Sequence, residues 1–394
     1  MYTCRRLPPA LVANVLDNFS VRLNSTGKRP SAPLGSRILT DPGDVFKHNM
    51  WDHVQWTEEE KEKARRKAEE NSSVRIPLEE QGKYDTKACT YWDRFYETHQ
   101  GRFFKDRHWL FLEFPELLPS SPRNIATDGC HGGQRASCAP PGGPPVDSDT
   151  RRHQHGGLTQ QHKKDDTTEC QPSRNGEEGG NDEFAVNATS FPGQHAAFRI
   201  LEAGCGVGNS VFPIVNSMKE TGAFLYCCDF SSRAIQLVKD HPDYNPSSCH
   251  AFVHDLREET ASFPFPPQSL DVILAVFVLS SIHPARMQGT VNRLCQYLKQ
   301  GGTFLFRDYG RYDFSQLRFK KGRCLSENFY TRGDGTCVYY FTKDEVHRLF
   351  SNAGLEEIQN LEDRRLQVNR GRKVVMRRVW MQGKYRKTHP TPPS

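Results

Sequence analysis

The stretch Ile200-Leu201-Glu202-Ala203-Gly204-Cys205-Gly206-Val207-Gly208-Asn209 constrains this chain more than any other. Phe198 to Leu201 is a short apolar run of strand type, ended by Glu202. Gly204, Gly206 and Gly208 follow at alternate positions, and a helical pattern opens with Asn209, Val211, Phe212, Ile214 and Val215. A strand that breaks into a glycine loop and reopens as a helix cradles small ligands. Glycine lets the backbone pass where a side chain would collide, and the helix start offers unpaired N–H groups. A tight turn with no ligand is the plainer alternative.

The spacing separates two cofactors. A dinucleotide fingerprint is G-x-G-x-x-G. Here the third glycine comes one residue early and Asn209 holds its expected place, which argues against a dehydrogenase. The pattern E-x-G-x-G-x-G resembles the loop of class I S-adenosylmethionine (AdoMet) methyltransferases. AdoMet carries a charged amino-acid end, and Glu202 can attract its ammonium group directly or through water.

From Phe198 onward strand and helix patterns alternate. Strands are expected at 223–230, 251–254, 270–279 and 303–306, and helices at 231–239 and 284–298. The expected fold class is therefore α/β, a doubly wound and mostly parallel sheet with its ligand at the carboxyl ends of the strands. Asp229 lies about 20 residues past the glycine loop, where an acid can take both ribose hydroxyls. Asp255 and Leu256 follow the next strand and suit the adenine amine and ring face, and Val276 could close the other face. Arg332 to Thr336 reads as a hairpin, Thr342 to Ser351 as a helix, and the end of the chain as basic and strand-rich.

Five stretches divide the chain. Residues 1–37 are basic, with a single acid, Asp17, and read as a mitochondrial transit peptide, an ordinary basic tail being the alternative. Residues 38–118 are helical, charged and crowded with aromatics. Within them Phe103-Phe104-Lys105-Asp106-Arg107-His108-Trp109 mixes rings with cations, which suits base stacking and phosphate contact or ordinary packing. Residues 119–195 are rich in Gly, Pro, Ser and His and read as a disordered insert. Residues 196–388 form the α/β domain, and 389–394 a tail. The 12 cysteines show no paired C-x-x-C spacing, so no metal site is legible. No apolar run is long enough to span a membrane.

Phe306-Arg307-Asp308-Tyr309-Gly310 after the fifth strand puts an arginine, an acid and a tyrosine at the mouth of the expected crevice, with Arg318, Lys320 and Lys321 close behind. With Tyr91-Trp92-Asp93, the 103–109 stretch, the 201–209 loop and Cys228-Asp229-Phe230-Ser231, these segments resemble the transfer RNA N3-methylcytidine methyltransferases. Leu317-Arg318-Phe319 and Glu327-Asn328-Phe329-Tyr330 add to the likeness, and the early Ala32 to Pro42 is similar to the mitochondrial branch.

The resemblance implies a Rossmann-like class I fold and AdoMet contacts from Trp92, Tyr96, Gly204, Asp229, Asp255, Leu256 and Val276, with Gly206 and Glu202 completing the cradle. It implies a transfer RNA substrate, methylated at position 32 of the anticodon loop, and a mitochondrial matrix location, with the cytoplasm as alternative. Asp308 is expected to accept from the cytosine amine, with Arg107 beside it in the catalytic group. Phe103 and Phe104 are expected to line the base pocket. Arg318, Lys320, Lys321, Arg364, Arg365 and Arg372 are expected to hold the RNA backbone. An aminoacyl-tRNA synthetase is a candidate partner. An RNA-binding adaptor on the same fold and a protein methyltransferase are the competing readings.

Overall fold

The computed structural model describes residues 37–119 and 190–388. Residues 1–36, 120–189 and 389–394 lie outside the described residues, and with them nearly all of the expected transit peptide, most of the insert and the tail. The described residues begin before the expected boundaries at 38 and 196. Arg37 receives a 2.8 Å hydrogen bond from the Asp52 N–H. Ser190 to His195, assigned to the insert, belongs to the folded part: the Arg199 guanidinium donates to the Gly193 carbonyl at 3.0 Å, and the Tyr226 hydroxyl donates to the Pro192 carbonyl.

The N-terminal segment carries β1 (Met50–Trp51), α1 (Glu58–Ser72), α2 (Leu78–Thr86), α3 (Ala88–His99) and α4 (Leu110–Glu113). The α/β part carries β2 (Phe198–Ala203), α5 (Val211–Ser217), β3 (Ala223–Asp229), α6 (Ser232–Lys239), β4 (Cys249–Val253), β5 (Leu270–Val276), α7 (Pro284–Tyr297) and β6 (Leu298–Tyr309). After it come α8 (Phe314–Leu317), β7 (Cys324–Ser326), β8 (Phe329–Thr331), β9 (Cys337–Tyr339), α9 (Lys343–Ser351), β10 (Leu355–Asn369) and β11 (Val374–Lys387). Helix α9 begins where the sequence places it, because Thr342 and Glu345 form a capping box.

The main sheet has the order β1-β10-β11-β6-β5-β2-β3-β4. Strands β6, β5, β2, β3 and β4 run parallel, and β11, β10 and β1 add antiparallel pairs at one edge. The chain leaves β2 toward β3 and β4, then returns to place β5 on the other side of β2. The carboxyl ends of β2 and β5 therefore flank the point where strand order reverses, the place such sheets bind ligands. The basic end is a long hairpin inside this sheet. The expected hairpin near Gly333 is the β8–β9 turn of a separate sheet, β7-β8-β9.

Alternation along the strands builds two cores, one on each face of the sheet. Leu201, Ala203, Tyr226, Ile273, Ala275 and Phe306 pack with α7 and α9. Ile200, Leu225, Cys227, Val272, Leu274 and Val276 pack with α5 and α6, and Leu110, Phe114 and Leu117 fill the same core. The N-terminal segment is thus a covering layer of the α/β domain. It is fastened by charge. Arg307 is buried with its guanidinium carbon 5.0 Å from the ring centroids of both Trp109 and Trp380, and it donates to Asp363 and Gln382. Glu113 is buried too and accepts from Arg365 and from Gln382, each at 2.9 Å.

Removing one charge from this network leaves its partner buried and under-compensated. Arg307→Ala is expected to lower the unfolding free energy by about 3 kcal/mol, as read by urea denaturation. A variant as stable as the parent would contradict the account.

Candidate functional site

A cavity opens at the carboxyl ends of the parallel strands. Trp92, Tyr96, Gly204, Asp229, Asp255 and Leu256 all line it, six of the residues singled out in the sequence. Phe230, His254, Arg257, Phe277 and Val278 complete most of the wall.

The glycines are required by close packing. Gly204 has φ +70°, and a Cβ there would sit 2.2 Å from Val278 Cγ2. Gly206 has φ +54°, and its Cβ would lie 2.9 Å from the Tyr96 hydroxyl. Both positions combine left-handed backbone with no room for a side chain. Asp229 shapes the same loop. Its Oδ2 accepts from the Gly206 N–H at 2.9 Å and its Oδ1 from the Ser231 N–H at 3.0 Å. Burial nevertheless pushes its carboxyl up to about 6.

Helix α3 distributes Tyr91-Trp92-Asp93 in three directions, because successive helical residues are turned by about 100°. Tyr91 packs where a Gly335 Cβ would be, on the β8–β9 turn. Trp92 faces the cavity and stacks on Tyr96 with centroids 5.7 Å apart. Asp93 accepts from the Ser231 hydroxyl at the start of α6. One tripeptide thus fixes a lid helix over the strand ends.

Glu202 is fully buried, and neither carboxylate oxygen has a hydrogen-bond partner. Arg107 is the nearest cation, 3.6 Å away and itself donating to Ser210 Oγ at 2.7 Å. Desolvation outweighs that cation and raises the Glu202 carboxyl from 4.5 to about 7. This buried carboxylate, paired with Arg107 near the end of β2, does not itself line the cavity, so it suits attraction of the AdoMet ammonium through water rather than direct contact. Burial also pulls the Arg107 guanidinium below its ordinary value.

Asn209 does more than displace a glycine. Its Nδ2 donates to the Phe104 carbonyl and to Asp106 Oδ1, each at 3.3 Å, and its carbonyl accepts from the Arg107 N–H at 2.9 Å. The cofactor loop and the 103–109 stretch are therefore stapled together.

Other expected positions differ. Val276 does not line the cavity: as the last residue of β5 its side chain points into the core, and Phe277 and Val278 take the wall. Asp308 is fully buried, not open at the mouth. Its Oδ2 accepts from the Ser280 N–H at 2.9 Å and its Oδ1 from the Tyr309 N–H at 2.8 Å, and burial raises it to about 6. Asp255 receives a two-pronged grip from Arg257, at 2.9 and 2.7 Å, and Arg257 also donates to Asp85 Oδ1 at 3.1 Å. Phe104 packs with Phe95, Tyr96 and Val207, whereas Phe103 is 54% exposed above Phe95 and neither lines the cavity.

Of the expected RNA contacts, Arg318, Lys320, Lys321 and Arg372 are exposed. Arg365 is committed to Glu113 and Asp363, and Arg364 pairs with Glu362 and lies over the Trp56 ring at 5.3 Å. A basic strand can be basic because it closes an internal network, which composition cannot distinguish from a solvent-facing one. Phe277, Val278 and Arg257 escaped the sequence reading. The only signal was position, immediately after a strand end. Among the described residues no cluster could hold a metal ion, and no helix is long and apolar enough to cross a membrane.

A family model described as a methyltransferase domain matches residues 153–360. The tRNA N(3)-cytidine methyltransferase METTL2 of Danio rerio is 51% identical over 91% of this chain and 90% of its own length. The tRNA N(3)-cytidine methyltransferase METTL2B of Homo sapiens is 50% identical over 89% of this chain and 92% of its own length. METTL8, mitochondrial, of Homo sapiens is 47% identical over 66% of this chain and 91% of its own.

A carboxyl raised on folding stabilises the fold while protonated. That stability is present below about pH 4.5 and lost as pH rises through about 7. Glu202→Gln cannot ionise. The ligand-free variant is expected to lose less thermal stability than the parent between pH 5 and 7. Parallel melting curves across that range would show the assignment to be wrong.

Proposed function

The chain belongs to the tRNA N3-cytidine methyltransferases, an AdoMet-dependent family that forms N3-methylcytidine in transfer RNA, and from that premise we propose how its residues act and where on the RNA. Glu202 carries the reading. Its buried carboxylate, with Arg107 at 3.6 Å, attracts the cationic end of the methyl donor through water, and the donor extends over Gly204 and Asp229 toward Asp255 and Leu256.

N3 of cytosine bears a free lone pair at neutral pH, so the reaction requires no strong general base. Bound AdoMet supplies an electrophilic methyl on a sulfonium. The protein aligns N3 with it and keeps water out. N3 sits on the pairing edge, so the target base is unpaired or extruded, and position 32 of the anticodon loop meets that condition.

Transfer moves positive charge from sulfur to the pyrimidine. Asp308 contributes as a buried carboxylate that favours this charge and, through the Ser280 N–H, fixes the turn after β5. This replaces the direct bond to the cytosine amine expected from sequence, because Asp308 is fully buried and does not line the cavity. Arg107 holds Glu202 and the 103–109 stretch in register. Arg318, Lys320, Lys321 and Arg372 meet RNA phosphates.

The basic, acid-poor N-terminus and the relative named mitochondrial support a mitochondrial matrix location. The relatives named METTL2, more similar over more of the chain, carry no compartment in their names, and the cytoplasm is the alternative. Residues 1–37 fused to a fluorescent protein separate the two: the fusion enters mitochondria if the first reading is right and stays diffuse if it is not.

The reaction is tested with purified protein, AdoMet carrying a labelled methyl group, and transfer RNA bearing cytidine or uridine at position 32, followed by nucleoside analysis. Labelled N3-methylcytidine is expected from the first RNA and none from the second. Methylation at another base would refute the position. Addition of the synthetase that charges the same RNA accelerates the reaction if the two enzymes associate. Asp308→Asn is expected to slow methyl transfer by about 10²-fold with AdoMet affinity retained. A wild-type rate would remove Asp308 from the mechanism.

A further inference from the structure

Phe277 is the one aromatic wall residue of the crevice whose backbone is left-handed. Its φ is +59°, a conformation that costs an L residue free energy and that glycine adopts freely. It directly follows β5, where each further residue of a regular strand would alternate between the two cores. The left-handed turn breaks that alternation. It brings the half-buried ring out of the sheet and into the crevice wall. Both neighbours pin the turn. The Phe277 N–H donates to the Arg307 carbonyl at 2.8 Å, and Val278 fills the space left by the missing Gly204 side chain.

Sheet order says which end of the donor this ring meets. Along the strand ends the order is Asp255 after β4, Asp229 at β3, the Glu202–Gly204 turn at β2, Phe277 after β5, then Tyr309 and the buried Asp308 at β6. The first three match adenine, ribose and amino-acid end. The side of the donor facing β5 and β6 is where an acceptor must approach. The Tyr309 ring centroid lies 5.0 Å from that of Phe277, tilted by 44°, and the Arg107 guanidinium carbon is 5.7 Å from the Phe277 centroid. Two rings and a flat cation converge there. Phe103 and Phe104, expected in this role, sit in a separate aromatic nest with Phe95.

We propose that Phe277 is the stacking platform for the target cytosine, and that its strained backbone is the device that aims the ring at the base. The proposal rests on the N3-methylcytidine reading above and goes beyond it by naming the residue that receives the extruded base.

Substitution by glycine separates ring from strain, because glycine relieves the backbone while deleting the ring. The experiment uses an anticodon stem-loop with pyrrolocytosine, a fluorescent cytosine analogue quenched by stacking, at position 32, and in parallel the unmodified RNA for methyl transfer. The parent protein is expected to quench the analogue. Phe277→Gly is expected to melt no lower than the parent, to bind AdoMet within about twofold, and to lose quenching. Its methyl transfer is expected to fall about 10- to 100-fold, the span of one lost base–aromatic stack. Phe277→Tyr and Phe277→Trp should restore quenching, and Phe277→Leu, which fills space without a flat ring, should not. Wild-type quenching and transfer by Phe277→Gly, or a loss of AdoMet affinity as large as the loss of transfer, overturns the proposal. Quenching by a parent protein that forms no N3-methylcytidine would sink the reaction while supporting the stack.

Discussion

A buried carboxylate near the end of β2, with Arg107 as its nearest cation, is the constraint from which the site follows. Glu202 is the penultimate residue of β2, between β3 and β5, and is fully buried. Its one nearby cation, Arg107, is shared with Ser210 and stands at 3.6 Å, beyond a good hydrogen bond. Such a group is disfavoured as an anion, and burial raises its carboxyl to about 7. A cationic ligand in the cavity adds to the positive charge that Arg107 supplies.

Around that charge the N-terminal segment performs two jobs that a bare α/β domain could not. Helix α3 brings Trp92 and Tyr96 over the strand ends and is locked by Asp93 to α6. The 103–109 stretch is bound to the glycine loop through Asn209 and Arg107, so a movement of the loop is felt by the aromatic residues outside it. Leu110, Phe114 and Leu117 pay for this arrangement by filling a core of the sheet. Cofactor loop, lid and aromatic nest are one packed object, which is why the segment cannot be separated as a domain of its own.

The strand–helix alternation, the glycine cradle and the acids at strand ends were legible because each follows from local pattern: periodicity, close approach, and position after a strand. What escaped was set by partners remote in sequence. Asp308 stands in a motif that looks solvent-facing, yet its carboxylate is consumed by the turn at Ser280. Arg365 lies in a basic strand, but Glu113 and Asp363 claim it. Val276 and Phe277 differ by one position, and a left-handed backbone that no side-chain pattern announces decides which of them lines the cavity. β1, two residues paired with Gln367 and Leu366, is too short to carry periodicity at all.

The most direct test of the central claim counts protons. If Glu202 waits partly protonated for the ammonium of AdoMet, binding at neutral pH must release a fraction of a proton. Calorimetric titrations in buffers of different ionisation enthalpy measure that number. The account predicts release near pH 7 that disappears in Glu202→Gln. Binding with no proton exchange, or with release unchanged in the variant, would contradict it.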